Sequence, residues 1–581
     1  MKKSIKLMSL LLAASTALSV ASCKKTTQSS TRTTRDSSNE STTKETSEEN
    51  TTTSSKQTTT TEDTTTEPSS ESSADSTSET SKSDPQKLNL KIDVPEKGCP
   101  IEFPTDKRYH YVMDLSLDTQ ARLIGGHVKV TFFNNSDDEW DKLCLRDYSS
   151  LFIDAETAGY DRAIETHGAT TDIKNIMDER SGKTMDLSRD KEDVSVVWIP
   201  LDTKLAPKEE MTLSYDFVAT IPTVADRYGV QDGVFNVTNF YPILAVYTED
   251  GWSHEAFYNL GECFFSEIAD FDVNLSVPEE MTVLSTGFPT DEKHASGNGR
   301  KVITIEAPCV RDFVFCACKD FVVAEEDYDG VHIRVAYNGA EKNNYEILLA
   351  EKSMTASKQS LDAFGDAFGK YPYKTLDVVL APIDAGGMEY PNLVIIECNE
   401  PYGIDAEHYD SYAAYMANFV VSHEIGHQWF MGIVGSNSGM EPWLDESFAS
   451  FTECVFVMAY FSDQDKKMHL PSKATCDLKE LVQKGRLTGI VPINRSYYDF
   501  VTSDYYLDAV YSIGQYALYQ IGETIGMDEL YGVIREYVHR NAFTNSTEDR
   551  FFEVLYECVG TDNEEMNSLI KDIFHRDPPT A

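Results

Sequence analysis

The sequence predicts a multidomain chain: an N-terminal antiparallel β-sandwich, then an α+β domain that is mainly helical. Three observations predict it. Residues 88–325 contain many short stretches in which apolar and polar residues alternate, punctuated by Gly, Asn, Asp or Pro. After "DGVHIRVAYNG" the apolar spacing changes to that of helices, and residues 326–581 form the second domain. Residues 23–87 have no apolar spacing at all, so folded material begins only beyond them.

The N-terminus "MKKSIKLMSLLLAASTALSVASC" has a basic start (Lys2, Lys3, Lys6), then an apolar run too short to span a bilayer. It reads as a signal peptide, residues 1–22. The ending "VASC" resembles a bacterial lipobox, in which the cysteine, here Cys23, is acylated and becomes the new N-terminus; an ordinary signal with an incidental cysteine is the alternative. Acyl chains would hold the protein on the extracytoplasmic face of the cell membrane, each buried methylene contributing about 0.8 kcal/mol. No other segment is long and apolar enough to cross a membrane. Residues 23–87 are dominated by Ser, Thr, Glu, Asp and Lys, and read as a disordered tether reaching roughly 40–50 Å on average.

The tether carries eight Lys and Arg against twelve Asp and Glu between residues 24 and 87, out of a net charge of −45 for all 581 residues. The acidity therefore belongs to the folded part, and it argues against a nucleic-acid or anionic-membrane partner for that part. The sandwich strands include "YHYVMDLSLD", "HVKVTFFNNS", "MTLSYDFVAT", "FDVNLSVPEE" and "KVITIEAP". In "DFVFCACKDFVV", alternation puts Cys316 and Cys318 on one face, as buried small hydrophobes rather than metal ligands. One or two disulfides among the cysteines after Cys23 are left open by their spacing. The helices of the second part include "NNYEILLAEKSMTASKQSLDAFGDAFG", "HYDSYAAYMANFVVSHEIGHQWFMGIVG", "WLDESFASFTECVFVMAYF" and "LDAVYSIGQYALYQIGETIG", with "TLDVVLAPI" a strand among them.

Within "SHEIGHQWF", His423 and His427 stand one helical turn apart and can present two imidazoles to one ion. Glu424 is rotated by about 100° and can reach a water on that ion rather than the ion itself. Zinc chemistry needs a third protein ligand and one open position. Glu446, nineteen residues after His427 in "WLDESFASF", is the candidate from a second helix.

Taken together these segments resemble the gluzincin aminopeptidases of the aminopeptidase N and leukotriene hydrolase type. "HEIGHQWF" looks like the family's HExxHxW zinc helix, and "WLDESFASFTE" like WLNEGFAxYxE. "DAGGMEYPNL" looks like the segment that grips a substrate's N-terminus. "VYSIGQYAL" looks like the segment with the catalytic tyrosine, here Tyr511, 65 residues after Glu446. The resemblance implies a thermolysin-like catalytic domain and one Zn2+ per chain, held by His423, His427 and Glu446. It implies Glu424 as the base that takes a proton from the zinc-bound water, and Tyr511 as a donor to the oxyanion. Gly386, Gly387, Met388 and Glu389 would bind substrate, the Glu389 carboxylate pairing with a free α-amine. Glu453 would back a zinc histidine, or else make a surface salt bridge. The chain departs from the family at Asp445, Ser447, Tyr390 and Ile513, where the family has Asn, Gly, Asn and Lys. It also ends where the family's C-terminal helical domain would begin. The expectation is an aminopeptidase acting on peptides with a free N-terminus. The alternatives are a non-catalytic peptide-binding or adhesive lipoprotein, and a zinc endopeptidase.

Overall fold

The computed structural model describes residues 88–153, 169–257, 261, 264–295, 299–340, 344–471, 492–500 and 502–580. Cys23 and the expected signal and tether lie outside the described residues. The first part is built on an eight-stranded sheet in the order Phe288–Ala295, Arg300–Val310, Ala269–Pro278, Tyr109–Asp118, Leu123–Phe133, Glu210–Thr220, Thr171–Asp178, Lys183–Thr184. Alternation in "YHYVMDLSLD" buries Tyr109, Tyr111, Met113, Leu115 and Leu117 and turns the residues between them outward. The sheet is not purely antiparallel: Tyr109–Asp118 runs parallel to Ala269–Pro278. The chain returns to that position after about 150 residues, and only adjacent strands can be joined by a tight antiparallel turn.

Smaller four-stranded sheets cover the inner face. Trp140 of one stacks on Phe132, and Leu244 of the same sheet donates its N–H to the Tyr111 hydroxyl at 3.2 Å. In the other, the strand Phe315–Cys318 is buried on both faces. Phe313, Phe315 and Ala317 face the main core, while Val314, Cys316 and Cys318 face a second core that they share with Val379, Leu393 and Ile395. The expected burial of both thiols holds. The eight described cysteines are free, Cys316 and Cys318 among them.

The second part starts with a five-stranded sheet, Phe321–Tyr328, Val331–Asn338, Thr375–Ala381, Leu393–Glu397, Gly387–Met388. The expected domain boundary at 325/326 falls inside the first of these strands. The helix Asn344–Phe368 makes the crossover between the parallel strands Val331–Asn338 and Thr375–Ala381. Next come a helical rod in three consecutive segments, Tyr409–Tyr415, Met416–Val421 and Ser422–Gly426, and the helix Trp443–Tyr460. A second segmented rod follows, Ser503–Tyr506, Leu507–Ile513 and Gly514–Ile525. The middle segment of each rod is π-helical. The helices Met527–Asn541, Glu548–Val559 and Glu564–Phe574 close the chain.

The chain enters the described region as a strap laid on these last helices. Leu88, Leu90 and Val94 crowd the Cα of Gly532, Lys91 donates its backbone N–H to the Cys558 carbonyl at 2.7 Å, and Arg535 donates to the Pro95 carbonyl at 2.7 Å. Among the described residues no helix is long and apolar enough to cross a membrane.

Candidate metal centre and peptide site

The histidine rod and the helix Trp443–Tyr460 pack directly on one another. Gly426, between the two histidines, permits the approach, because a Cβ there would collide with Thr452. Three ligand atoms converge as a result. His423 Nε2 lies 3.2 Å from His427 Nε2 and 3.3 Å from Glu446 Oε2, and His427 Nε2 lies 3.4 Å from Glu446 Oε2. A tetrahedral zinc with bonds of about 2.0–2.1 Å sets its ligands about 3.3–3.4 Å apart, so the triangle has the size zinc requires.

The other ring nitrogens have carboxylate partners. His423 Nδ1 is 3.0 Å from Glu453 Oε1, and His427 Nδ1 is 2.7 Å from Asp445 Oδ1. Such partners fix the ring orientation and strengthen the imidazole as a ligand. Ser438 in turn donates its hydroxyl to Asp445 Oδ2 at 2.7 Å. Glu453, read from the sequence either as a partner of a zinc histidine or as a surface salt bridge, meets the His423 ring nitrogen. Asp445, one of the departures, faces His427 in the same way.

The electrostatics favour a cation. Burial opposes protonation of His423, but hydrogen bonds to Glu446 and Glu453 outweigh it and raise the imidazole to about 10. Burial likewise opposes protonation of His427, and Glu389, Asp445 and Glu446 push it well above the usual imidazole range. Burial acts to raise the Glu446 carboxyl, yet the two imidazoles hold it well below the ordinary carboxylate value.

Glu389 is buried, and its carboxylate, together with His427 and Asp445, places ligating atoms within 4.8 Å of one another. Glu424 lies against Gly387, where a Cβ would collide with its carboxylate. Gly387 and Met388 form the edge strand of the five-stranded sheet, paired antiparallel with Ile396 and Ile395. Gly386 precedes them and is exposed. Tyr511 sits in the π-helical segment, its ring stacked on His423 at 5.9 Å between centroids and 13° between planes. The expected residues of the second part are thus brought to one place: His423, Glu424, His427, Glu446, Glu453 and Tyr511, with Gly387, Met388 and Glu389 at the sheet edge beside them.

Two further residues organise the site and were not picked out by motif spacing. Gln428 follows His427, and its side chain donates to the Tyr390 carbonyl at 3.1 Å and accepts from the Asn392 N–H at 2.8 Å. It ties the substrate segment to the histidine rod; the signal was its place inside "HEIGHQWF". Arg311, from the first part, is wholly buried. It donates to the carbonyls of Ser266, Met431, Gly432 and Thr544, and burial lowers it to about 10. A cleft opens between Arg311, Asp312 and Tyr148 on one side and Met388, Glu389 and Asp445 on the other.

Residues 352–575 match the peptidase family M1 domain. The chain is 26% identical over 306 residues to aminopeptidase M1-B of Oryza sativa subsp. japonica, covering 50% of this chain and 33% of that protein. It is 28% identical over 295 residues to puromycin-sensitive aminopeptidase of Caenorhabditis elegans, covering 48% and 29%. The chain spans about a third of the length of these relatives. Among solved structures, the M1 zinc metallopeptidase from Deinococcus radiodurans superposes with a TM-score of 0.55 at 16% identity, over 83% of this chain and 97% of that one. A point mutant of that metallopeptidase, bound to a Tyr-Ser-Ala substrate, gives 0.51 at 15% identity, over 83% and 98%. The family match falls on the segments that build the His423, His427 and Glu446 cluster, so residues 352–575 form an M1 metallopeptidase domain with its zinc-binding cluster in place.

Proposed function

We propose that the protein is a zinc-dependent aminopeptidase, removing N-terminal residues from peptides outside the cytoplasmic membrane, where acylated Cys23 holds it. The observation that carries the catalytic reading is the buried Glu389 carboxylate beside the His423, His427 and Glu446 triangle. An anionic group fixed there holds a free α-ammonium and sets where a peptide can stop, which makes the cut N-terminal. Zinc, when bound by the triangle, supplies Lewis acidity at the scissile carbonyl and lowers the pKa of a water. Glu424 takes the proton of the attacking water and passes it to the leaving amine. The Tyr511 hydroxyl donates a hydrogen bond to the developing oxyanion. Gly387 and Met388 offer a sheet edge along which a peptide lies as an added strand. The mixed sheet, with that edge strand beside the histidine rod, supports a thermolysin-like reading of the catalytic part.

A charge-assisted hydrogen bond between ammonium and carboxylate is worth roughly 1.5–3 kcal/mol, and blocking the amine also takes the substrate's positive charge away from Glu389. N-acetylation of a good peptide substrate is therefore expected to lower kcat/KM by at least about 100-fold. Equal cleavage of free and acetylated peptides by zinc-loaded protein would favour an endopeptidase; binding without cleavage of either would favour a peptide-capturing protein.

A further inference from the structure

The residue after Glu389 is Tyr390, where the family resemblance puts an asparagine. Its side chain is buried and points away from the metal cluster, into the first part of the chain. The Tyr390 hydroxyl lies 2.7 Å from both Thr238 Oγ1 and Asn239 Oδ1. The Thr238 hydroxyl donates to the Arg227 carbonyl at 2.8 Å, so the single phenolic proton of Tyr390 is shared between two acceptors. Asn239 then donates through Nδ2 to Asp312 Oδ2 at 3.0 Å, and Asp312 Oδ1 accepts from the Tyr241 hydroxyl at 2.6 Å and from the Phe313 N–H at 2.7 Å. Asn239 holds a left-handed backbone conformation, φ +47°, which aims its amide at both partners. At the other end of Tyr390, the backbone carbonyl is held by Gln428. The residue is pinned from both sides, by the histidine rod through its main chain and by the first part through its ring.

We infer that Asn239 and Asp312 are positioning residues for the amine-binding carboxylate, acting through the Tyr390 hydroxyl. This rests on the aminopeptidase reading, in which Glu389 receives the α-amine. Asn239, Asp312, Glu389 and Tyr390 all line the same cleft, so a shift of Tyr390 moves the neighbouring carboxylate within it. None of Asn239, Asp312 or Tyr390 belongs to the ligand triangle, so their loss acts on capture of the amine and leaves the metal in place. An amine held equally in ground and transition states appears in KM.

The test uses the zinc-loaded protein and one peptide in free and N-acetylated form. Wild type must first show its preference for the free amine; without it the aminopeptidase reading falls, and this inference with it. Given that preference, Tyr390→Phe removes only the hydroxyl. Asn239→Gly removes the amide while keeping a residue that tolerates positive φ. Each is expected to raise KM for the free peptide about 10-fold, to change kcat less than 3-fold, and to shrink the free-over-acetylated preference by a similar factor. Asp312→Leu, which removes the acceptor of the Asn239 amide, is expected to lose much of the preference. Zinc content and melting temperature are read alongside. A preference and KM within twofold of wild type in folded, zinc-loaded Tyr390→Phe and Asn239→Gly would overturn the inference.

Discussion

At the scale of single residues, the ligand triangle was legible because a helix fixes the relation of positions i and i+4, and because Glu446 stands at a known spacing. Glu424 and Tyr511 were marked only by resemblance to segments whose chemistry is known, and they lie beside Gly387 and His423. The outer partners were less so. Glu453 shares a helix face with Glu446, but spacing could not tell a histidine partner from a surface carboxylate. Asp445 stood out only as a departure from the family. What decided both was the crossing of two helices, which one sequence does not state. Glu424→Gln is expected to keep zinc and fold and to lower kcat by at least about 1,000-fold, since the amide cannot accept the water's proton. Steady-state kinetics with metal analysis checks this, and retention of a tenth of kcat would remove Glu424 as the base. Asp312 gives a pH-dependent prediction. Burial raises its carboxyl from 3.8 to about 7. A raised acid binds its proton in the native state at pH values where the unfolded chain has lost it, so native stability falls as pH rises from about 4 to about 7. Asp312→Asn removes that contribution. Its stability relative to the parent is expected to rise through this window and level off above it, as read from urea midpoints at several pH values. A pH-independent difference would show that the carboxyl is not raised.

At the scale of elements, strands with clean alternation and the long helices were visible in the sequence. The two π-helical segments were not, because a π turn has the composition of the α-helix around it. They matter to the site: one ends at Val421, two residues before His423, and the other contains Tyr511. π turns leave carbonyls displaced from their usual partners and are frequent at functional positions. Here the Ser447 hydroxyl donates to the Val510 carbonyl at 2.5 Å, inside the π-helical segment. Ser447 replaces the glycine of the related motif, and the facing residue, Gly514, has no room for a Cβ beside it. The two positions therefore read as a pair, serine on one helix against glycine on the other. Gly514→Ala is expected to destabilise by about 1–3 kcal/mol through overpacking and to lower kcat by displacing Tyr511. Adding Ser447→Gly opens the space again, and the double variant is expected to recover at least half of the lost stability. Chemical denaturation of the four proteins gives the coupling; strict additivity would show that the two helices do not meet at this point.

At the scale of the whole molecule, the order of a β-rich part and a helical part was legible, while the seam between them was not. The sequence boundary at 325/326 cuts a strand that belongs to the second sheet, because a hairpin of two alternating strands looks alike on either side of a seam. Arg311 and the Tyr390 network join the parts through contacts between residues far apart in sequence, which no local pattern encodes. The proposed lipid attachment makes its own prediction. Cys23→Ala is expected to release active enzyme from the membrane fraction, and fractionation with activity assays checks it; a variant still sedimenting with membranes would count against acylation. The strap from Leu88 to Val94 gives this attachment a mechanical meaning. Any pull arriving along the Ser/Thr-rich leader is received by the closing helices Met527–Asn541 and Glu548–Val559, through the Lys91–Cys558 main-chain bond and the leucines around Gly532. These helices lie apart in sequence from every ligand and from Glu424. The strap's contacts, not the sheet or the His423–Glu446 pair, would be the first to meet such a load. Freed to Gly98, the eleven residues add roughly 35–40 Å of slack. If Cys23 does anchor the chain, the strap would thus act as a strain relief at its cable entry, with the cutting edge left undisturbed.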